Sequence, residues 1–267
     1  MDIRPIGIFD SGLGGLTAVQ ALRQLLPNEA IIYFGDTARN PYGTKSPAQL
    51  RRMARQDMEL LAEKGVKAII AACGTVSSAA SDVLADFALP VFNVVDPAVA
   101  AMAEQSGPLG IIATAASIEN GSLKRKLSAL CPQRQIVDAA CQDFVRLIEA
   151  GKISKEDGEV MEAVSAALEP LRSAGVRSVL LGCTHFGYLG EAIRAYMGED
   201  TVLVSASHCA AERLRDYLVQ NSLLGDEGGE EYYTSGDVAT FARHASMLLG
   251  RDVGTKVKSA PLMEVDT

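Results

Sequence analysis

The sequence predicts an α/β fold made of two related units, each a mainly parallel sheet flanked by helices. Short apolar runs alternate with helical patterns, as in strands joined by crossover helices. Several runs are apolar at every position, which is typical of strands covered by helices on both faces. The predicted strands are residues 6–9, 30–34, 68–72, 91–95, 109–113, 178–181 and 202–204.

An internal repeat is the third observation behind this prediction. Residues 65–73 (GVKAIIAAC) align without a gap on residues 175–183 (GVRSVLLGC), so Cys73 and Cys183 hold equivalent positions. A weaker repeat pairs residues 5–8 (PIGI) with 108–111 (PLGI). Each cysteine follows a predicted strand directly, and the carboxyl ends of parallel strands are where open α/β sheets bind ligands.

Two helices are predicted from sequence signals at their ends. Ser46, Pro47 and Gln49 form a capping box with proline at the first helical position, and this helix is expected to end near Gly65. A second helical pattern runs from Ser154 to about residue 174.

Composition and charge exclude several classes of protein. The chain has 267 residues, of which 48% are hydrophobic and 22% charged, as in globular proteins. Its net charge of −8 disfavours nucleic acid and anionic membranes as partners. No apolar run approaches the roughly 18 residues of a membrane helix, and no secretion signal precedes the first strand, so we expect a cytoplasmic protein. Five cysteines without a CxxC pair predict free thiols and no metal site.

The two repeated cysteines suggest acid/base chemistry. Thr75 follows Cys73, and Thr184 and His185 follow Cys183, so both thiols lie among polar groups. One thiolate could remove a proton from a carbon while the opposite thiol protonates its other face. A free thiol titrates at about 8.5, so modest tuning would leave one member of the pair as thiolate and the other as thiol. His185 is the natural partner of the second thiol.

Other cysteine chemistries fit less well. A phosphatase would need an arginine six positions after the cysteine, where Ala79 and Leu189 stand. A cysteine protease would leave the second cysteine unexplained. The remaining cysteines and histidines are expected to serve packing or surface roles: Cys131, Cys141, Cys209, His208 and His244.

A glycine-rich turn at residues 10–17 (DSGLGGLT) follows the first strand. Its backbone amides suit an anion, although glycines can also serve the turn alone. Asp36 ends the next strand where a ribose-binding acid would lie, but Thr17 occupies the place of the third glycine in a dinucleotide fingerprint. Asp10 and Ser11 instead favour a carboxylate or ammonium ligand.

Five segments of the chain carry a family resemblance: residues 9–15 (FDSGLGG), 36–46 (DTARNPYGTKS), 141–151, 182–185 (GCTH) and 233–237 (YTSGD). Together they resemble the glutamate racemase family, cofactor-independent members of the aspartate/glutamate racemase superfamily. The resemblance covers nearly the whole chain. It implies two pseudosymmetric domains, residues 1–97 with 208–267 and residues 98–207, with the active site in the cleft between them.

The resemblance also implies roles for individual residues. Cys73 and Cys183 would be the catalytic bases, the first assisted by Asp10 and the second by His185 and Glu149. Substrate contacts are implied at Asp10, Ser11, Tyr42, Gly43, Gly74, Thr75, Thr184 and His185. The implied reaction interconverts L-glutamate and D-glutamate for peptidoglycan synthesis and cell shape, without pyridoxal phosphate or any other cofactor. A homodimer is implied by the resemblance alone.

Two positions depart from the family pattern. Gly74 replaces an asparagine that usually follows the first cysteine, and Gly187 replaces a proline. The first change removes an amide expected to contact substrate, so the activity could be weak or shifted. Two alternatives stay open: a racemase or isomerase acting on aspartate, a hydantoin or a related acid, and a weakly active or regulatory homologue.

Overall fold

The computed structural model describes residues 1–262 and divides into two compact units. One comprises residues 1–94 and the described residues from 210 onward; the other comprises residues 95–209. The domain boundaries that the resemblance implies, 1–97 with 208–267 and 98–207, stay a prediction.

Parallel strands form one sheet in each unit. The first sheet has the order β10-β9-β2-β1-β3-β4 and the second the order β6-β5-β7-β8. The strands are β1 (Ile6–Asp10), β2 (Ala30–Gly35), β3 (Ala68–Ala71), β4 (Val91–Asn93), β5 (Leu109–Ala113), β6 (Ile136–Ala140), β7 (Ser178–Leu181), β8 (Val202–Ser205), β9 (Gly229–Thr234) and β10 (Val257–Ser259).

The helices follow the strands in the alternation expected of an α/β fold. They are α1 (Leu16–Leu25), α2 (Pro47–Glu63), α3 (Gly74–Ala79), α4 (Ser81–Ala85), α5 (Val95–Ala103), α6 (Ala115–Asn120), α7 (Ser122–Leu130), α8 (Gln142–Glu149), α9 (Gly158–Ser173), α10 (Gly190–Met197), α11 (Ala206–Gln220) and α12 (Val238–Leu249). None of those described within residues 1–262 is long and apolar enough to cross a membrane.

The second sheet repeats four neighbouring strands of the first. The order β6-β5-β7-β8 corresponds to β2-β1-β3-β4, and every pair is parallel. Ile6 pairs with Ala68 in one sheet, and Leu109 pairs with Ser178 in the other. These are the residues that the two sequence repeats align, so the predicted fold class of two related α/β units is confirmed.

The repeat extends to the packing beneath the strands. A side chain at Gly7 would lie 3.1 Å from Leu61 and 3.2 Å from Val66. At the equivalent Gly110 it would lie 2.7 Å from Leu171 and 2.8 Å from Val176, which aligns with Val66. Each glycine therefore lets the helix before the cysteine-bearing strand pack directly on the central strand.

Lys67 forms hydrogen bonds with three separate segments of the first unit. Its ammonium group is fully buried and donates to Glu29 Oε2 at 2.6 Å, to the Asp2 carbonyl at 2.8 Å and to the Leu223 carbonyl at 2.8 Å. A buried ammonium needs an acceptor for each proton, and three are present. These bonds and the pairing of β9 with β2 join the segment after α11 to the first unit.

Several sequence predictions needed correction. The pattern of apolar runs did not predict β6, β9 or β10. The family resemblance did indicate a late strand near Tyr233, which is part of β9. The strand predicted over residues 91–95 ends at Asn93 because Val95 begins α5. The second helix begins at Gly158 rather than Ser154, because the Asp157 carboxylate caps it by accepting from the backbone of the first turn. The capping box of α2 is confirmed.

The contact at Gly110 makes a stability prediction. Gly110→Ala should lower the free energy of unfolding by about 1–3 kcal/mol, because its new methyl group enters a filled core. Gly158→Ala is the matched control: a side chain there meets nothing within 4 Å, so its effect should be small. Urea denaturation of both variants measures this, and equal effects would contradict the packing account.

Candidate active site

In the first unit, neighbouring strands place Asp10 and Cys73 at the same edge of the sheet. Asp10 is the last residue of β1, and Cys73 follows β3 and precedes α3. β1 pairs with β3 in parallel, so both residues lie at carboxyl ends. The Cys73 Sγ atom lies 3.8 Å from the Ser11 hydroxyl oxygen. The position predicted to bind a ligand thus holds a thiol, a hydroxyl and a carboxylate.

Burial controls the ionisation of Cys73. Loss of water, and next the negative charge of Asp10, raise the pKa of the Cys73 thiol to about 12. The Ser11 hydroxyl and the backbone N–H groups of Thr75 and Val76 favour the thiolate but only partly offset these effects. Cys73 is therefore a protonated thiol at neutral pH.

The glycine-rich turn is shaped around Asp10. Its carboxylate is buried and accepts a hydrogen bond from the Gly12 backbone at 2.8 Å, and Tyr33 donates to the Gly12 carbonyl at 2.8 Å. A side chain at Gly15 would lie 2.6 Å from Asp10 Cβ and 2.9 Å from Ala72 Cβ. Glycine is required there for close packing around the acid.

The segment after β2 contains a buried polar cluster. Arg39 donates to Asp36 Oδ2 at 2.5 Å and to Asp57 Oδ1 at 2.6 Å. The Tyr42 hydroxyl lies within hydrogen-bond distance of Asp36 and 2.9 Å from Asp57 Oδ2. Tyr42 is buried, whereas the next residue, Gly43, is exposed. Asp36, considered above as a ribose-binding acid, is here a member of this internal cluster.

In the second unit, three of the predicted residues lie in a row. Cys183 follows β7, and its Sγ atom lies 3.7 Å from His185 Nδ1. The other ring nitrogen, His185 Nε2, lies 3.5 Å from Glu149 Oε1 at the end of α8. A thiol, an imidazole and a carboxylate in this order can pass a proton away from sulfur or return one to it.

The predicted hydroxyl and glycine contacts lie beside the two thiols. Gly74 and Thr75 form the first turn of α3 and are half-buried, and Thr184 is a buried residue directly after Cys183. They begin the short helices that follow β3 and β7, the second being a 3-10 helix over Thr184–Leu189.

Sequence reasoning missed a hydroxyl pair in the second unit. Thr114 follows β5 as Ser11 follows β1, and its hydroxyl donates to Ser117 Oγ at 3.0 Å. Extending the weaker repeat by three residues aligns Ser11 with Thr114, so the signal was present in the sequence. This pair lies at the same edge of its sheet as Cys183.

Cys141 is closer to the site than its predicted packing role suggested. It follows β6 as Asp36 follows β2. Burial, and next the nearby Cys183 sulfur, raise the pKa of the Cys141 thiol to about 12. Across residues 1–262, no group of three or more His, Cys, Asp or Glu side chains could hold a metal ion.

Comparison with known proteins identifies the family of this chain. Residues 16–214 match the model of the Asp/Glu/Hydantoin racemase family. The chain belongs to that family.

Its relatives are similar over nearly their whole length. A glutamate racemase of Beutenbergia cavernae is 40% identical over 95% of this chain and 92% of its own. The crystal structure of glutamate racemase from Thermus thermophilus in complex with beta-chloro-D-alanine has a TM-score of 0.86 at 36% identity, covering 98% of this chain and 99% of that one. The Francisella tularensis glutamate racemase in complex with D-glutamate has a TM-score of 0.86 at 34% identity, covering 97% and 98%.

The raised pKa of Cys73 predicts a loss of stability in alkali. Above pH 9.0 the unfolded chain releases a thiol proton that the folded chain keeps until about pH 12. The free energy of unfolding therefore falls as pH rises through this window, by up to about 1.4 kcal/mol per pH unit for one thiol.

Denaturation of the native chain and Cys73→Ser, from about pH 8 to about pH 10.5, measures this dependence. The serine variant should lose stability less steeply. Cys141→Ser should behave in the same way, because burial raises the pKa of the Cys141 thiol as well. Identical slopes in all three proteins would show that the thiols are not shielded from water.

Proposed function

We propose that this chain is a glutamate racemase that interconverts L-glutamate and D-glutamate with two cysteines as acid and base. One observation carries the proposal: Cys73 and Cys183 follow equivalent strands of two equivalent sheets, and each has its own polar partners. The similarity to glutamate racemases over nearly the whole chain supports glutamate as the substrate. A likeness to an aspartate racemase at 16% identity supports the fold alone.

The proposed reaction transfers protons at one carbon. One sulfur, as thiolate, removes the α-proton of glutamate, and the other, as thiol, delivers a proton to the opposite face. The structure supports Cys73 as the proton donor in the direction in which Cys183 is the base, because Cys73 holds its proton at neutral pH. His185 and Glu149 would accept or return the proton of Cys183, a role supported by the 3.7 Å from Cys183 Sγ to His185 Nδ1 and the 3.5 Å from His185 Nε2 to Glu149 Oε1.

In the reverse direction Cys73 must become a thiolate. We propose that the bound substrate makes this possible. Its ammonium group, placed beside Asp10, would neutralise the charge that opposes ionisation of the thiol. The amides of Thr75 and Val76 and the hydroxyl of Ser11 already favour the thiolate.

Negative charge that develops on the substrate carboxylate needs preorganised donors. We propose the hydroxyls of Ser11, Thr75 and Thr184 for this role, with nearby backbone amides, including those at Gly43 and Gly74. The Tyr42 hydroxyl is engaged with Asp36 and Asp57, so a substrate contact at that residue would fall to its main chain.

The wider setting follows from the same proposal. The two units would be the two pseudosymmetric domains of the enzyme, and the substrate would bind between their thiols. The enzyme would need no pyridoxal phosphate, because the proposed hydroxyl and amide donors would stabilise the negative charge that this cofactor otherwise withdraws. We further propose a cytoplasmic homodimer that supplies D-glutamate for peptidoglycan.

Exchange with heavy water tests the two-base reaction. The native chain should convert D-glutamate to L-glutamate, and L to D, with deuterium entering at the α-carbon. Cys73→Ser and Cys183→Ser should each lose about 10²–10⁴-fold in racemisation rate, because each removes one of two required proton carriers. Circular dichroism follows the inversion and mass spectrometry the isotope.

Cys131→Ser is the matched control, since this half-buried thiol contacts the Ala103 carbonyl at 3.6 Å and has no proposed role. It should racemise as the native chain does. Retained racemisation in either active-site variant would refute the two-base scheme. Inversion of aspartate or a hydantoin but not glutamate would refute the substrate, and ligand binding without inversion would indicate a regulatory homologue.

Gly74 makes a further prediction. Gly74→Asn should raise kcat/KM for glutamate up to about tenfold, because it supplies an amide that can pair with a polar group of the substrate. Steady-state racemisation of the native chain and the variant measures this. An unchanged or lower value would show that glycine is no deficit here.

A further inference from the structure

Four buried polar side chains lie between the end of β2 and the middle of α2. Asp36 and Asp57 are 0% exposed, Tyr42 is 2% exposed and Arg39 is 8% exposed. Arg39 binds both carboxyl groups, and its remaining terminal nitrogen donates to Gln56 Oε1. The proposed reaction uses none of these side chains.

The Tyr42 hydroxyl can donate a hydrogen bond to only one of its two carboxyl neighbours, Asp36 and Asp57. Its oxygen lies within hydrogen-bond distance of Asp36 Oδ2 and 2.9 Å from Asp57 Oδ2. A phenol has one proton, so it can donate to only one of them. If both acids were ionised, the other contact would join two oxygens without a proton, and Arg39 alone would face two buried negative charges.

The hydrogen bonds favour Asp57 as the acid that holds the extra proton. Asp36 accepts from Ser235 at 2.7 Å on one oxygen and from Arg39 at 2.5 Å on the other, so both oxygens act as acceptors. Asp57 accepts from Arg39 on Oδ1, while its Oδ2 faces the phenol. Asp36 is thus the better-stabilised carboxylate.

We infer that Asp57 is a neutral carboxylic acid in the folded protein and is a positioning residue for the Tyr42–Gly43 turn. Its Oδ2–H group donates to the Tyr42 oxygen, and the Tyr42 hydroxyl donates to Asp36. Arg39 then balances the single charge of Asp36, and the cluster is neutral overall.

The ionisation of Asp57 agrees with this geometry. Burial raises the pKa of the Asp57 carboxyl well above its usual range, and the negative charge of Asp36 raises it further. Arg39 and Tyr42 act in the opposite direction, and Asp10 adds a smaller upward effect.

The protonation of Asp57 matters because the cluster holds the loop of residues 37–46 in place. Asp36 precedes the loop of residues 37–46, and Asp57 lies on the helix that follows it. Arg39 and Tyr42 lie within the loop, so the hydrogen bonds tie its middle to both of its ends. This step rests on the proposed function, in which the main chain at Tyr42 and Gly43 contacts glutamate.

Two matched variants separate the acids. Asparagine mimics a neutral acid, with one donor toward Tyr42 and one acceptor toward Arg39, so Asp57→Asn should leave KM for D-glutamate within about twofold and kcat nearly unchanged. Asp36→Asn removes the charge that balances Arg39 and should raise KM about tenfold or more, with a lower melting temperature. The reverse order of effects would place the proton on Asp36 and overturn the inference.

Infrared spectroscopy detects the proton without relying on activity. Native protein labelled with ¹³C-aspartate should show the carbonyl band of a buried protonated acid, and Asp57→Asn should lack it. Absence of the band from the native protein, or its persistence in the variant, would overturn the inference.

If the native chain fails to racemise glutamate, the proposed function fails, while the band and the melting temperatures still decide the state of Asp57. Asp57→Leu, which cannot bond to Tyr42, should raise KM even if it folds less stably.

Discussion

The parallel pairing of a central strand with a cysteine-bearing strand is the constraint on which the site depends. In the first sheet β1 pairs with β3, and in the second β5 pairs with β7 in the equivalent register. Parallel strands of matched register end at the same edge, so the residues that follow them are neighbours. Ser11 therefore meets Cys73, and Thr114 follows the strand beside the one that leads to Cys183. Gly7 and Gly110 leave room for α2 and α9, the helices that precede the two cysteine-bearing strands, to pack on the central strands.

Burial then gives these side chains their chemical character. An accessible thiol loses its proton near pH 9.0, but Cys73 keeps its own until about pH 12 because water is excluded and Asp10 is close. The same cost of burying charge explains the cluster around Arg39, where one guanidinium faces two acids. In both places the folded chain favours the neutral form of an acid. At Cys73, we propose that the ammonium group of the substrate offsets the negative charge of Asp10 and so favours the thiolate in the bound state.

The sequence predicted the parts of the fold that repeat and are fully buried. β1, β3, β5 and β7 are continuous apolar runs, and the repeat of residues 65–73 at 175–183 located both thiols before any coordinates. β6 was missed because Asp138 interrupts its short apolar run, and β9 because it begins with glycine and two glutamates. The proximity of His185 to Glu149 was expected only through family resemblance, since 36 positions separate them and no local pattern joins them. The partnership of Arg39 with Asp57 spans a loop and could not be found from spacing.

In the proposed reaction two sulfur atoms act on opposite faces of one carbon. A crystal structure of the chain with D-glutamate bound measures this most directly. Cys73 Sγ and Cys183 Sγ are expected to lie on opposite sides of the substrate α-carbon, each at roughly 3–3.5 Å. A complex in which only one sulfur reaches that carbon, or both lie on the same side, would contradict it.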